Sequence, residues 1–216
     1  MNANVSLVRT NYFPTMVFQH DIGNHGDLNN SLLTSIYNER ERDRSGVNKS
    51  NTPQLGSWHS HTGLHKSPAY AELLTHVNSV TSLMSRELGY ANDYTLKVTT
   101  MWSIINPPGN GNRAHIHPGC IWSGVYYVQA PEGAGEIEFV DPRTALLMNQ
   151  PKYIAKKKRP RDCWTKVNYK PMAGRMLIFP SWLYHGVDPN MAKESGQKAD
   201  RVIMSFNISQ VKRAEA

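Results

Sequence analysis

The chain has 216 residues, 39% of them hydrophobic and 9% aromatic, which is the composition of a globular protein with a substantial core. Its net charge of +7 equals that of one segment, residues 151–170, where eight Lys or Arg accompany a single acid, so charge alone does not indicate a general nucleic-acid-binding protein. No stretch reaches the roughly 18 apolar residues of a membrane span, no signal peptide is expected, and the two cysteines, Cys120 and Cys163, exclude a disulfide framework and favour a reducing cytoplasm.

The N-terminal part of the chain is predicted to be mainly helical. In chain order, the pattern of apolar and turn-forming residues indicates a strand at 12–22, a helix at 27–44, a loop at 45–66 and a helix at 67–89. Pro14 interrupts the strand, and Asp27 is placed to cap the first helix. Ser67 and Pro68 are typical of a helix start, and Gly89 is typical of a helix end.

From Tyr94 onward the pattern changes to strands. They are predicted at 95–105, 121–129, 136–140, 175–179, 184–187 and 201–209, with a Gly- and Pro-rich turn at 106–112. Short strands preceded by helices favour a β-sandwich or jelly roll with the helices packed outside one sheet. Because no repeat or linker is found, we expect a single domain at 1–216, with a strand and helical part at 1–93 and a β core at 94–210.

Three histidines are candidates for a metal site. In an extended segment the side chains of His115 and His117 point to the same side, so both imidazoles can reach one ion. His185 follows the apolar and aromatic segment 179–184 and supplies a third nitrogen. Three neutral imidazoles suit Fe, Cu, Ni or Zn. We expect the turn at 106–112 to place the pair at the start of a strand, although a His-x-His pair can also arise by chance among nine histidines.

The last strand carries a candidate anion-binding residue. Arg201, Ser205 and Asn207 share one face of that strand because side chains alternate. A buried arginine requires an anion, and no acid occurs in the strand, so a ligand carboxylate is one candidate, with the Ser205 hydroxyl as a second donor. The alternative is that Arg201 faces solvent at the start of the strand.

These motifs together resemble the Fe(II)/2-oxoglutarate oxygenases found in marine bacteria and phages, which are relatives of the prolyl hydroxylase branch. The resemblance covers about residues 100–210 and is carried, in this order, by Asn106-Pro-Pro-Gly109, Asn112-Arg-Ala-His115-Ile-His117-Pro, Ser123-Gly-Val-Tyr-Tyr-Val128, Asp141-Pro-Arg143, Phe179-Pro-Ser-Trp-Leu-Tyr-His185 and Arg201-Val-Ile-Met-Ser-Phe-Asn207. Upstream, Ser50-Asn51 and Gly56-Ser-Trp-His-Ser60 are also similar to the N-terminal part of that family.

The resemblance implies a mainly β fold, a double-stranded β-helix of the jelly-roll or cupin-like type, with the N-terminal helices packed on one sheet. It also implies site residues. His115, His117 and His185 would be the catalytic Fe(II) ligands, whereas Tyr127, Arg201, Ser205 and, less directly, Asn106 would bind 2-oxoglutarate. The wider superfamily usually has His-x-Asp or His-x-Glu as its first ligand pair, whereas similar members of the resembled family also carry His at the second position. The His-x-His of this chain would make the iron site more electropositive and leaves open which of the two imidazoles is the weaker ligand.

The expected function is therefore that of an Fe(II)- and 2-oxoglutarate-dependent dioxygenase, a hydroxylase that converts 2-oxoglutarate and O2 to succinate and CO2. One alternative is a three-His cupin-like dioxygenase or zinc protein that does not use 2-oxoglutarate, which predicts a salt bridge between Arg201 and a protein carboxylate. Another is a non-enzymatic jelly-roll binding module, with which no metal would copurify.

The partners are less specified than the cofactors. The substrate is expected to be a small molecule or a protein side chain, and no membrane partner is expected. The basic run from Lys156 to Arg161 is either a solvated loop or an arm that recruits an acidic protein or, less readily, a nucleic acid. The segment 58–61 either forms a lid or substrate wall or packs over a core edge, and Trp102 is expected in the core or in a cavity wall.

Overall fold

A computed structural model describes residues 7–49 and 56–213 of the chain. Within them, ten strands form two sheets whose strand pairs are antiparallel. The strands are β1 (Phe18–Asp21), β2 (Trp58–His59), β3 (Tyr94–Asn106), β4 (Asn112–His115), β5 (Trp122–Gln129), β6 (Ile137–Val140), β7 (Lys166–Tyr169), β8 (Arg175–Pro180), β9 (His185–Val187) and β10 (Arg201–Lys212). The helices are α1 (Gly26–Arg42), α2 (Ala71–Glu87) and α3 (Thr144–Met148). None of the helices in these ranges is long and apolar enough to cross a membrane.

The six-stranded sheet, in the order β1-β8-β5-β10-β3-β2, has one face covered by α1 and α2. Alternate residues of β10 point to this face and pack into the larger core together with apolar residues of both helices: Val202, Met204, Phe206 and Ile208 with Leu28, Leu32, Ile36, Leu73, Val77 and Met84. This arrangement confirms the prediction that the N-terminal helices pack on one sheet, and it follows from the period of two in the strand and the helical spacing of the apolar residues.

The opposite face of the six-stranded sheet is turned toward the four-stranded sheet, in the order β4-β9-β6-β7. A second apolar cluster fills part of the space between them and contains Trp102, Ile104, Val125, Tyr127, Ile137, Phe139, Leu177, Phe179, Leu183 and Ile203. Because β10 lies between β3 and β5, its inward residues reach the middle of this space. The functional candidates of the last strand therefore lie inside the molecule.

Several local predictions were wrong. The first strand is limited to Phe18–Asp21, and Asp27 lies in the first turn of α1 rather than at its N-cap, which His25 occupies without a side-chain cap bond. Short elements were missed, namely β2 inside the predicted loop and α3, β4 and β7 in the β-rich part. These elements have two to five residues, too few for a periodic pattern to be recognised. Ser50 and Asn51, which took part in the resemblance, lie outside the described residues.

Candidate active site

The three histidines meet where β4 lies beside β9. His115 is the last residue of β4 and is paired with His185, the first residue of β9. The His-x-His pair therefore begins at the end of β4 and not at the start of a strand, where the sequence predicts it. His117 lies two residues further on, where its backbone N–H donates to the carbonyl oxygen of Ser181 at 2.9 Å. The ligand nitrogens of the three imidazoles lie within 4.8 Å of one another, and no Asp, Glu or Cys among the described residues joins the group. This spacing suits one ion bound at about 2 Å from each nitrogen.

Two of the three rings are oriented by hydrogen bonds to the backbone. The Nδ1–H of His115 donates to the carbonyl oxygen of Arg113 at 2.7 Å, and the Nδ1–H of His185 donates to that of Leu183 at 2.8 Å. With Nδ1 carrying the proton, Nε2 of each ring is left as the unprotonated nitrogen. A carbonyl partner of this kind fixes the tautomer that a metal ligand needs.

Burial keeps these imidazoles in the form that binds metal. It lowers the pKa of His185 to about 3 and the pKa of His117 to about 4, and the neighbouring histidines act in the same direction. Both rings are therefore neutral at pH 7, and the neutral imidazole is the metal ligand. The donor set and its protonation state fit a divalent transition metal.

Arg201 is buried, and it lines the same cavity between the two sheets as the three histidines. Its side chain is 1% exposed, which rules out the alternative of a solvent-facing arginine. Its Nη1 donates to the carbonyl oxygens of Ala134 and Asp188, the second at 3.0 Å, and its Nη2 donates to that of Asn110 at 3.4 Å. These backbone contacts hold the guanidinium in one place without neutralising its charge.

The Arg201 guanidinium still has donors to offer. In the described part of the chain no carboxylate lies within ion-pair distance of it, although Asp188 and Tyr127 partly offset the burial that lowers its pKa to about 10. It is therefore charged at pH 7. Its buried Nε–H has no hydrogen-bond partner, and the Nε–Nη2 edge is the one that a carboxylate binds with two parallel bonds. A buried cation with an open edge fits an anionic ligand.

Tyr127 places a hydroxyl group in the cavity with Arg201. Its Cα lies opposite that of Ile203, between Arg201 and Ser205 along β10, and its ring lines the cavity. The hydroxyl makes no hydrogen bond with any residue that the structure describes. Burial raises the pKa of Tyr127 to about 12, so the hydroxyl keeps its proton and can donate it to an anion.

Ser205 lines the cavity at some distance from Arg201. The two are four positions apart along the strand, which corresponds to about 13 Å between their Cα atoms. Ser205 is directly opposite Trp102 on β3 and Val125 on β5. The structure therefore brings both residues to the same cavity but to different parts of its wall.

Asn106 is paired with Arg201 in the sheet but does not line the cavity. Its side-chain oxygen accepts a hydrogen bond from the Ser57 hydroxyl at 2.5 Å, and its amide donates to Asn112 Oδ1 at 3.3 Å. Asn112 is the residue that reaches the cavity wall. The two asparagines thus form a partly buried polar link between β3 and β4.

The cavity between the sheets has a volume of about 250 Å³ and includes residues that the sequence did not assign to it. Asn112 was missed because a register shift between Asn112 and His115 allows both side chains to face the cavity, whereas a regular strand would turn residues three apart to opposite faces. Lys49 was missed because nothing in its neighbourhood distinguishes it. Of the segment predicted as a substrate wall or core edge, His59 lines the cavity and Trp58 is buried in the core.

The sequence matches a model of the family described as "Putative 2OG-Fe(II) oxygenase" over residues 100–207, which is half of the chain. The chain belongs to this family. The match spans the segment that contains all three histidines, Tyr127, Arg201 and Ser205. No curated protein matches the sequence.

Solved structures of oxygenases have the same fold. A prolyl-4-hydroxylase from Pseudomonas putida is similar with a TM-score of 0.58 and 16% identity, over 92% of this chain and 94% of that chain. A prolyl hydroxylase from Trichoplax adhaerens, in complex with a peptide fragment of hypoxia inducible factor, is similar with a TM-score of 0.57 and 17% identity, over 89% of this chain and 83% of that chain. The epimerase SnoN from nogalamycin biosynthesis, in complex with Fe3+, alpha ketoglutarate and nogalamycin RO, is similar with a TM-score of 0.60 and 13% identity, over 93% of this chain and 82% of that chain.

The predicted fold class and function are confirmed. The protein has the double-stranded β-helix fold of these oxygenases, and its family membership makes it an Fe(II)- and 2-oxoglutarate-dependent oxygenase. Family membership contradicts the alternative of a non-enzymatic binding module. The marine or phage origin predicted from the resemblance stays a prediction.

Proposed function

We propose that His115, His117 and His185 bind Fe(II) and that Arg201 and Tyr127 bind the 5-carboxylate of 2-oxoglutarate, in an enzyme that hydroxylates a second substrate. The observation that carries the proposal is the buried, charged Arg201 with a partnerless Nε–H, in one cavity with three imidazoles. A metal site alone does not account for this cation. The alternative of a three-His enzyme without 2-oxoglutarate predicts a protein carboxylate against Arg201, and the described residues provide none at that distance.

The chain's own groups have distinct tasks in this proposal. Fe(II), when bound, supplies the dioxygen chemistry that couples conversion of 2-oxoglutarate to succinate and CO2 with hydroxylation. Arg201 offsets the charge of the 5-carboxylate and fixes its orientation through the Nε–Nη2 edge, because three backbone carbonyls hold the other N–H groups. Tyr127 donates one hydrogen bond from its protonated hydroxyl. The apolar walls, among them Ile203 and Phe179, exclude water from the reacting groups.

The remaining two predicted cosubstrate contacts are retained as proposals with more specific roles. Ser205 is a hydroxyl donor on the Trp102 side of the cavity, away from Arg201. Asn106 acts through Asn112, whose side-chain oxygen it orients by the hydrogen bond at 3.3 Å.

A metal site of three imidazoles has a consequence for its charge. Each neutral imidazole leaves the charge of a divalent ion unchanged, whereas the carboxylate that is usual in the wider superfamily would cancel one unit. Lys49 also lines the cavity, but its ammonium is paired with the Asp43 carboxylate at 2.9 Å, so the extra positive charge of the site comes from its imidazole ligands. We infer that the site has a stronger attraction for an anionic cosubstrate than a site with a carboxylate ligand.

The proposal is tested by measuring iron content together with 2-oxoglutarate-dependent oxygen uptake and succinate formation. We expect about one iron per chain and succinate formation that requires 2-oxoglutarate. His185→Ala should lose metal binding and turnover together. An unfolding midpoint equal to that of the metal-free wild type would show that the variant is still folded. Stoichiometric zinc without any 2-oxoglutarate consumption would contradict the proposal.

For the second substrate, we propose a small molecule or a protein side chain. The prolyl hydroxylase of Trichoplax is bound to a peptide fragment and SnoN to nogalamycin RO, which illustrates both classes on this fold. The basic run offers no separate support for nucleic acid, since its aromatic neighbours are engaged by its own cations. Arg159 lies over the Tyr153 ring at 4.5 Å and Lys156 over the Trp164 ring at 4.9 Å. Nucleic acid stays the less favoured alternative for this run, and the cytoplasmic location stays a prediction.

A further inference from the structure

The His117 ring differs from the other two imidazoles in how it is held. His115 and His185 each have Nδ1 bonded to a backbone carbonyl, but the His117 side chain makes no hydrogen bond with any described residue. Its ring is instead stacked between aromatic neighbours. The Trp102 ring lies 5.8 Å away at 28°, and the His185 ring lies 5.2 Å away at 7°.

Trp102 is well placed to act as a fixed surface for this ring. It lies on β3, within the six-stranded sheet, and is 8% exposed. A second imidazole, that of His59 on β2, is stacked on it at 5.7 Å and 13°. The His59 ring is fixed in turn, because its Nδ1–H donates to the carbonyl oxygen of Ser60 at 2.6 Å. The rings of His59, Trp102, His117 and His185 thus form one stacked series from the edge strand to the metal site.

The physical need for such a surface follows from the freedom of a histidine ring. The torsion that turns an imidazole about its Cβ–Cγ bond has a broad profile, so a ring without a hydrogen bond can adopt several planes. A ligand nitrogen must nevertheless point at the ion, and the groups that orient ligands change metal affinity by roughly 10- to 100-fold when removed. Offset stacking on a large aromatic ring restricts the plane without any polar partner.

We propose that Trp102 is a positioning residue that fixes the ring plane of His117 by stacking, and that His59 supports Trp102 from the β2 side. The proposal rests on the proposed role of His117 as a metal ligand. It assigns to this chain a way of holding a third imidazole, at the position where the wider superfamily usually has a carboxylate, by ring contact instead of by a hydrogen bond. His59 lies outside the segment that matches the family, residues 100–207, so half of this support comes from the chain's N-terminal part.

The test is a titration of the metal-free protein with Co(II), followed by the visible absorption of the bound ion. Trp102→Leu removes the stacking surface and should weaken Co(II) binding roughly 10-fold and change the band shape. Trp102→Phe keeps an aromatic ring and should restore most of the affinity and the wild-type spectrum. His59→Ala should have a smaller effect in the same direction, because it removes only the support of Trp102.

A matched control is available in Trp122, which is 4% exposed and belongs to the core beside the helices. Its ring makes an edge-to-face contact with Phe18, with 5.6 Å between the ring centroids. Trp122→Leu removes the same atoms from the interior and should lower the unfolding midpoint without changing Co(II) affinity or spectrum. Equal losses of affinity in Trp102→Leu and Trp122→Leu would overturn the positioning role, since they would show general destabilisation.

Nuclear magnetic resonance of the metal-free protein gives a second readout. In the wild type we expect contacts between the Trp102 indole and the His117 ring, and in Trp102→Leu we expect the His117 ring signals to report averaging over several planes. A His117 ring that keeps one plane in Trp102→Leu would overturn the inference.

Failure of this inference and failure of the proposed ligand set give different results. If His117→Ala binds Co(II) as the wild type does, His117 is not a ligand and both proposals are wrong. If His117→Ala loses affinity while Trp102→Leu keeps it, the ligand set stands and the positioning role is wrong.

Discussion

The two faces of the six-stranded sheet differ most clearly at two adjacent tyrosines of β5. Tyr126 points to the helices, is fully buried, and its hydroxyl donates to Asn29 of α1 at 2.6 Å. Tyr127 points to the cavity, and its hydroxyl has no partner among the described residues. Burial raises the pKa of both hydroxyls to about 12. The same residue type therefore completes the core on one face and is left available for a ligand on the other.

The same difference recurs along β10. The β10 residues that pack against the helices, Val202, Met204, Phe206 and Ile208, are apolar, whereas those that line the cavity include Arg201 and Ser205. A protein interior normally satisfies its polar groups. The face where they are left unsatisfied is therefore the face where a ligand is expected, and substitutions on the two faces should affect different properties.

The largest effect is expected for Arg201→Ala on the cavity face. The variant should abolish 2-oxoglutarate-dependent succinate formation, because the 5-carboxylate loses its counter-charge, while metal binding stays nearly intact. Succinate assay and Co(II) titration of the same preparation check this. Arg201→Met, which fills most of the volume, controls for the loss of packing, and unchanged succinate formation in either variant would disprove the role of Arg201.

On the helix face, Phe206→Ala is expected to lower the free energy of unfolding by about 3–5 kcal/mol, because a fully buried ring is lost. Its Co(II) affinity should equal that of the wild type while the protein is folded. Urea unfolding monitored by circular dichroism measures the first quantity. A change in metal affinity would mean that the two faces are coupled, and Phe206→Leu offers a milder variant for that comparison.

The adjacent tyrosines give a matched pair with smaller effects. Tyr127→Phe should weaken 2-oxoglutarate binding roughly 10-fold, seen as a higher KM, because one hydrogen bond to a charged group is lost. Tyr126→Phe should instead lower stability by about 1–2 kcal/mol, since Asn29 Oδ1 is left without its donor. If the two variants exchanged these phenotypes, the comparison of the two faces would be wrong.

The smallest effect is expected at the edge of the sheet, where Arg175 on β8 binds the Asp21 carboxylate on β1 with two bonds of 2.9 Å. The Arg175 hydrogen bonds lower the pKa of Asp21, so its contribution is present above the pKa of the unfolded carboxyl and is lost as the pH falls through the folded value. Asp21→Asn should cost about 0.5–1 kcal/mol at pH 7 and progressively less toward pH 3. A cost in urea unfolding that is independent of pH would contradict this account.

The sequence predicted the parts of the site that depend on local periodicity. Alternation within β10 placed Arg201 and Ser205 on one face, and the i, i+2 spacing placed His115 and His117 on one side. The apolar spacing of the two long helices predicted their packing on one sheet. In each case a few neighbouring residues contain the whole pattern, so one segment suffices to see it.

The contacts between residues that are distant in the sequence were decided only by the tertiary structure. The three carbonyls that hold Arg201 belong to Ala134, Asp188 and Asn110, which are 67, 13 and 91 residues away from it in the chain. The stack of His59 on Trp102 and the bulge that turns Asn112 into the cavity also depend on how strands pair. Composition and spacing are properties of a segment, but the partners of a buried charge are set by the fold. The sequence by itself therefore determined which residues are candidates for the chemistry, and only the tertiary structure decided which of their donors are left for a ligand.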